Sequence, residues 1–406
     1  MVRRGSRFKA VVALCMGGLA AIAIMELSFR LIEITPLWRV LPGIEPQLGA
    51  PDWDTGYVFT PGATGVSQRE HHAKVQINLL GLRDAERTLA KPPGTIRIGL
   101  LGDSMVEALQ VEQSATFGAL AERELSEKGH AVEVINLAMS ANGPLRQLVR
   151  LEKIGYEFNL DMVVSVPRVG NFLTGELLDD SLNPGYVPDK NGGLERGFAY
   201  RQRSSVRNAE AWSGRAFLSL LRTSAVARMI YLRSRDPLPQ MLGLKSAVAA
   251  AVPLRDDCSA AELDPILRLW RDHQPQRLWQ GTVRALDDFA ESTGRRNLPV
   301  IFALSGIPLP KASCPVQRAT RAELMATIAH EFTGRGLGFS DWTAALAAVT
   351  GADDDSGLRP LVGFGQQKGT GHLNYAGHRA YAAALVRAVT TRLDAKSEMT
   401  SPKPAD

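Results

Sequence analysis

Ile96-Arg97-Ile98-Gly99-Leu100-Leu101-Gly102-Asp103-Ser104 is the stretch on which the fold turns. Its mostly aliphatic start reads as a buried strand, and Gly-Asp then breaks the run into a polar turn. A strand that ends this way presents one serine at the carboxyl edge of a sheet, where open α/β folds place their chemistry. Glycine lets the backbone bend sharply there, and the following segment reads as a helix whose first amides favour negative charge. Gly-Asp-Ser alone also makes an ordinary turn. It gains force from the far end of the chain, where His372-Leu373-Asn374 and Gly377-His378 open the last helical stretch.

Further short β-rich runs follow at Val132–Asn136, Met162–Val166 and Val300–Leu304, with a weaker one at Leu337–Asp341. Amphipathic helical patterns alternate with them at Phe117–Lys128, Leu145–Tyr156, Leu263–Ser292, Gln317–Phe332 and Tyr375–Leu393. Strands alternating with helices imply a parallel sheet covered on both faces, with right-handed crossovers. One insertion, about 172–262, interrupts the alternation with a turn-rich piece at Asn191-Gly192-Gly193 and a helical pattern over Arg215–Arg233. Between Arg196 and Arg235 it carries nine arginines against the single acid Glu210. Two readings stand: a solvated helix face with a packed apolar side, or a lid that leans on anionic lipid or glycan, supported by Phe217, Leu220, Leu221, Met229 and Ile230.

At the N-terminus Arg3, Arg4, Arg7 and Lys9 precede sixteen apolar residues, Ala10 to Met25, closed by Glu26. Positive charge before an apolar segment holds that end in the cytoplasm, so the rest is expected to be exported. Sixteen is short for a span, but Leu27, Phe29, Leu31 and Ile32 lengthen it if Glu26 and Arg30 snorkel. No Ala-x-Ala site follows cleanly, which favours an uncleaved anchor. The expected organisation is a cytoplasmic tip and anchor over 1–34, a Pro- and Gly-rich stalk and cap over 35–94, an α/β domain over 95–395, and a disordered tail over 396–406. Cys15 falls in the anchor, leaving Cys258 and Cys314 as a possible disulfide or as two unrelated thiols.

The 406 residues can bury a large core, and 45% hydrophobic with 22% charged is ordinary globular composition. The formal charge of +5 suits an acidic glycan or a membrane surface. Because basic and acidic residues are interspersed, it is no nucleic-acid signature, and no nucleic-acid partner is expected. No phosphate loop or dinucleotide fingerprint appears, and no cofactor is expected. Adjacent His71 and His72 on an extended segment point to opposite faces and lack a ligand partner at metal spacing, so no metal site is expected either.

Four blocks in order resemble the SGNH (GDSL-type) hydrolase superfamily, in its membrane-anchored bacterial branch. Asn78-Leu79-Leu80-Gly81-Leu82-Arg83-Asp84 leads into the Gly102-Asp103-Ser104 strand. Val134-Ile135-Asn136-Leu137-Ala138 is similar to the second block, and Asp161-Met162-Val163-Val164 leads to Gly170-Asn171. His372-Leu373-Asn374 and Gly377-His378 close the series. The resemblance covers roughly Val75 to Leu393 and implies a three-layer, flavodoxin-like α/β sheet of the SGNH type, here with an N-terminal transmembrane helix and a helical insertion. It also implies Ser104 as nucleophile and His372 as its base, since a serine hydroxyl needs an imidazole to remove its proton. The backbone N–H of Ser104, the N–H of Ala141 and the Asn171 side chain are then the oxyanion donors.

Two positions depart from the family pattern. Gly369 stands where the family carries an aspartate three residues before the histidine, and Phe172 stands where an aspartate usually follows the asparagine. Asp341, closing the fifth strand at the same sheet edge, is the substitute carboxylate this reading offers, with a backbone carbonyl as the other way to hold the imidazole. Asp353, Asp354 and Asp355 read as solvated loop, Glu107 and Glu112 as loop solvation, and His378 as a packing or capping residue. The expectation is a bacterial inner-membrane, single-pass protein with its main domain in the periplasm. It would act as a Ser-His esterase on O-acyl esters, on acylated polysaccharide first and lipid second, with polysaccharide-export proteins as possible partners. An O-acetyltransferase for an exported glycan and a catalytically silent glycan-binding or scaffold protein are the alternatives.

Overall fold

A computed structural model of the chain describes residues 3–34, 48–67, 70–173, 183–207, 211–227, 230, 265–273, 277–310 and 313–400. Helix α1 (Arg3–Ile34) comes first, and its Phe8–Ile32 portion is long and apolar enough to cross a membrane, with none of its most apolar window buried by the protein. Two antiparallel hairpins follow, β1 (Gly49–Asp52) with β2 (Gly56–Phe59) and β3 (Thr64–Ser67) with β4 (Ala73–Gln76).

The chain from Asn78 to Arg87 is built into the main domain rather than standing off it as a stalk. Asn78 Nδ2 donates to the Ala85 carbonyl at 2.8 Å while its Oδ1 accepts from the N–H groups of Leu80 and Leu82, closing a tight loop through Gly81 at φ +76°. Arg83 and Asp84 are buried. Asp84 accepts from the Asn136 N–H at 3.1 Å, and Arg87 pairs with both Asp84 and Glu122. Buried charge is tolerated there because each of these carboxylates meets a cation.

The central sheet comprises β5 (Ile96–Gly102), β6 (Val132–Asn136), β7 (Met162–Val166) and, beyond the hairpin β8 (Gly185–Pro188) and β9 (Leu194–Gly197), β10 (Val300–Leu304) and β11 (Gly338–Asp341). Its order is β11-β10-β7-β5-β6 and every neighbouring pair is parallel. Numbered within the sheet this is the 2-1-3-4-5 arrangement of flavodoxin-like folds, whose order reverses between the first and third strands. Here the reversal lies between β5 and β7, paired at Leu100 and Val164.

The helices are α2 (Ser104–Glu107), α3 (Phe117–Glu127), α4 (Pro144–Lys153), α5 (Val169–Leu173), α6 (Trp212–Thr223), α7 (Arg277–Gly294), α8 (Pro315–Thr333), α9 (Trp342–Thr350) and α10 (Tyr375–Thr400), with others at Ser204–Arg207, Pro265–His273 and Asp355–Leu358. Alternate strand residues face opposite layers. Ile98, Leu100 and Val164 pack under α3, α9 and α10 through Phe117, Trp342 and Leu385. Leu101, Val163 and Phe302 pack against α4, α7 and α8 through Leu151, Phe289 and Phe332. The result is the expected three-layer sheet.

Differences are local. The helix expected over Leu263–Ser292 is described as two pieces on either side of 274–276, which lie outside the described residues. The last helix continues to Thr400, through the first part of the tail expected to be disordered; 401–406 lie outside the described residues. Cys15 is free and Cys314 is disulfide-bonded, while its expected partner Cys258 lies outside the described residues.

Candidate active site

Ser104 begins α2 immediately beyond β5, at the carboxyl edge beside the reversal of strand order. Gly102 is demanded by crowding, since a Cβ there would lie 2.1 Å from Val106 Cγ2. Asp103 caps the turn by accepting the Met105 N–H at 3.0 Å. The helix is a single turn, ended by Ala108 at φ +58°.

His372 comes from the loop before α10. Its carbonyl accepts from the Gly363 N–H at 2.8 Å, and Asn374 caps α10 by accepting from Ala376 and Gly377 while its amide donates to the carbonyls of Pro360 and Gly363. This lattice presents the imidazole to the serine, with His372 Nε2 2.8 Å from Ser104 Oγ.

The other ring nitrogen meets a residue absent from the sequence-based site. Glu70 Oε1 lies 2.6 Å from His372 Nδ1, and Glu70 Oε2 accepts the His372 backbone N–H at 2.8 Å. A carboxylate facing Nδ1 fixes the tautomer: Nδ1 carries the proton, and Nε2 is left to accept from the hydroxyl. Glu70 belongs to the loop between β3 and β4, so one carboxylate grips both the main chain and the side chain of a residue near the other end of the protein. Gly371 makes the grip possible. It sits at φ +89°, and a Cβ there would be 2.6 Å from Glu70 Oε2.

Asp341 does not fill this place. It caps α9 by accepting the Ala344 N–H at 3.1 Å and forms an ion pair with Arg321. The reason is topological: β11 is the edge strand, three positions from β5, and at about 4.8 Å per strand that is ~14 Å. Gly369 adopts φ +94° and supplies no carboxylate.

Ala141, the expected second oxyanion donor, stands at φ +59°, a left-handed conformation that glycine adopts freely and alanine only at a cost of about 1–2 kcal/mol. What holds it there is Glu107. This carboxyl, 2% exposed, accepts the Ser140 N–H at 3.2 Å and bonds the Ser140 hydroxyl, pinning the residue next to Ala141. Burial pushes the Glu107 carboxyl above its ordinary range, against the Ser140 hydrogen bonds and the positive charge of Arg150. Glu107 is therefore a buried structural acid, not loop solvation. Among the described residues neither the Ser104 N–H nor the Ala141 N–H is engaged in a hydrogen bond. Asn171 lies in α5, with its side chain outside the described residues.

The remaining readings divide. His378 is buried, its Nδ1 accepts the Phe117 N–H at 3.2 Å, and its ring stacks on Phe117, so it packs and caps α3. Burial, then the charges of Arg83 and His372, lower its pKa to about 3. Glu112 bonds the Tyr375 hydroxyl at 2.6 Å, and His71 stacks on Phe364 with ring centroids 4.5 Å apart, neither being a free loop side chain. Asp354 caps the turn at Asp355–Leu358, and Asp355 accepts the Leu309 N–H at 2.8 Å. No cluster of three His, Cys, Asp or Glu suited to a metal occurs among the described residues.

Single-sequence reasoning missed Glu70 and Glu107. Glu107 reads in the sequence as loop solvation, and nothing there marks it as buried. Glu70 has no fixed spacing to His372, and only the fold of the β3–β4 loop brings it there.

No family model and no curated protein sequence matches the chain. Among solved structures it is similar to a lipase/acylhydrolase from Enterococcus faecalis at 15% identity, over 76% of this chain and 100% of that one, with a TM-score of 0.36. The TesA structure gives 13% identity over 73% and 98% of the two chains, TM-score 0.36. The acetyl xylan esterase AlAXEase gives 12% over 72% and 100%, TM-score 0.35. Likeness at this level says nothing of chemistry. The SGNH-like architecture stands on the strand order and on where the four sequence blocks fall in it.

Proposed function

We propose that the protein is a membrane-anchored serine esterase that cleaves O-acyl esters, with exported, acylated polysaccharide as its substrate. One observation carries the reading: Ser104 Oγ, His372 and Glu70 form a continuous relay with contacts of 2.8 and 2.6 Å. A serine, an imidazole and a carboxylate in this order are a nucleophile, its base and the group that orients the base. The relay also answers the sequence feature that favoured a silent scaffold, because a carboxylate is present although position 369 is glycine.

In the proposed reaction Ser104 Oγ attacks the ester carbonyl while His372 Nε2 takes the hydroxyl proton. The tetrahedral oxyanion faces the Ser104 and Ala141 N–H groups, with the Asn171 amide as the third donor. Collapse breaks the bond to the alcohol, which leaves with the proton from Nε2. Water then attacks the acyl-enzyme, its proton passing to Nε2, and the carboxylic acid is released as Ser104 recovers its proton. The basic first turns of α1 and the arginine-rich insertion support an exported, membrane-held enzyme facing an acidic polymer.

A fluorophosphonate probe tests the chemistry. The wild type should label and Ser104→Ala should not. A wild type that stays unlabelled beside a reactive control esterase overturns the esterase reading. Release of acetate from acetylated oligosaccharide, against transfer of acetyl to an added sugar, then separates hydrolysis from transfer.

A further inference from the structure

Helix α6, inside the insertion, carries three exposed apolar side chains. Trp212 is 80% exposed, Leu220 51% and Phe217 46%. At 100° per residue these three fall within an arc of about 140°, with Arg215 flanking it about 60° beyond Trp212. Leu221, just beyond the arc, is buried against the domain. Exposed apolar side chains in one patch mark a surface that something covers.

What covers it is indicated by the other end of the helix. The C-terminus of α6 and the turn after it are bound to α1. Arg30 Nη2 donates to the Thr223 carbonyl at 2.5 Å, and Glu26 accepts from the Ser224 hydroxyl and from the N–H groups of Ala225 and Val226 at 2.9, 2.9 and 3.1 Å. Glu26 and Arg30 are themselves paired at 2.8 Å. Glu26 is the first charge after the apolar run Ala10–Met25 and lies in the last part of the Phe8–Ile32 span, so in a membrane-spanning α1 its carboxylate reaches toward the outer headgroup interface. The residues it holds stand at the same depth. Ile230, a few residues on, is 66% exposed.

We infer that α6 is an interfacial helix whose Trp212–Phe217–Leu220 face lies on the bilayer that α1 crosses. Tryptophan is suited to that depth, because its ring is amphipathic. The exposed Arg203 and Arg207 of the preceding chain, with Arg215, suit a surface of anionic phospholipid headgroups. A helix laid on the membrane in this way fixes the orientation of the catalytic domain relative to the surface instead of leaving it to swing on its tether. The inference rests on the reading of α1 as an anchor.

The test uses the full chain reconstituted in phosphatidylcholine–phosphatidylglycerol vesicles whose acyl chains are brominated near the headgroups. The component of tryptophan emission lost in Trp212→Phe should be roughly halved by brominated lipid, and Phe217→Ser with Leu220→Ser should relieve that quenching. Carbonate washing separates the two ways of failing. A protein released by carbonate overturns the anchor and this inference together. A protein retained in the membrane with unquenched Trp212 overturns this inference alone, and cross-linking between copies through position 212 would then assign the face to a second copy of the chain.

Discussion

Glu70 and His372 stand 302 residues apart in sequence and meet through two contacts, carboxylate to ring at 2.6 Å and carboxylate to main-chain N–H at 2.8 Å. The double contact orients the imidazole about both its ring and its backbone. Replacing Glu70 by Gln keeps the shape but offers an amide in place of an acceptor pair. Ester hydrolysis by Glu70→Gln should show kcat reduced by about 10²–10⁴ with KM little changed. Normal kcat in a folded variant would remove Glu70 from the relay.

Gly371 and Gly369 provide a matched pair. Both have positive φ, so alanine at either costs about 1–2 kcal/mol of stability. Only at 371 does the new Cβ enter the space of Glu70; at 369 the nearest atom is Arg359 Cβ at 3.7 Å. Thermal unfolding should therefore shift similarly in the two variants, while the loss of kcat should be confined to Gly371→Ala.

Glu107 makes stability depend on pH in a defined direction. Its folded pKa is raised by burial, so the folded state holds a proton that the unfolded chain gives up near 4.5. The stabilisation is full below that pH and declines as pH rises toward the folded value. In urea titrations Glu107→Gln should flatten this decline. It should also lower kcat by disturbing the Ser140–Ala141 turn, and Glu107→Asp should restore little because its shorter arm misses Ser140.

His378 acts at the acid end. Its pKa of about 3 lies below the ordinary imidazole value of 6.5, so the unfolded state binds the proton first and stability falls as pH drops from 6.5 toward 3. The slope approaches 1.4 kcal/mol per pH unit in mid-window. His378→Gln, which does not titrate, should be less stable near neutrality but show a shallower acid limb. An unchanged limb would show that His378 is protonated in the fold.

The sheet was readable because buried parallel strands need continuous β-branched and aliphatic runs; β6, β7 and β10 begin and end where the sequence places them. Ser104 and His372 were readable because each stands beside a punctuated element, a glycine turn before the one and an asparagine-capped helix after the other. Glu70 was not. Its partner is chosen by how two hairpins pack over the sheet edge, and no periodicity encodes that. Asp341 shows the complementary error: both carboxyl-edge placement and residue type were right, but edge position in the sheet is set by strand order, which spacing alone leaves open.

That an acid from the β3–β4 loop completes the relay bears on how the protein can be divided. A recombinant fragment begun at the first sheet strand would retain the nucleophile and the imidazole, yet would lack both the group that aligns them and the Asn78–Arg87 segment that ties into Asn136 and Glu122. Competence of the proposed relay is thus a property of the polypeptide from the hairpins onward, and the short stretch between α1 and the first sheet strand is itself a working part.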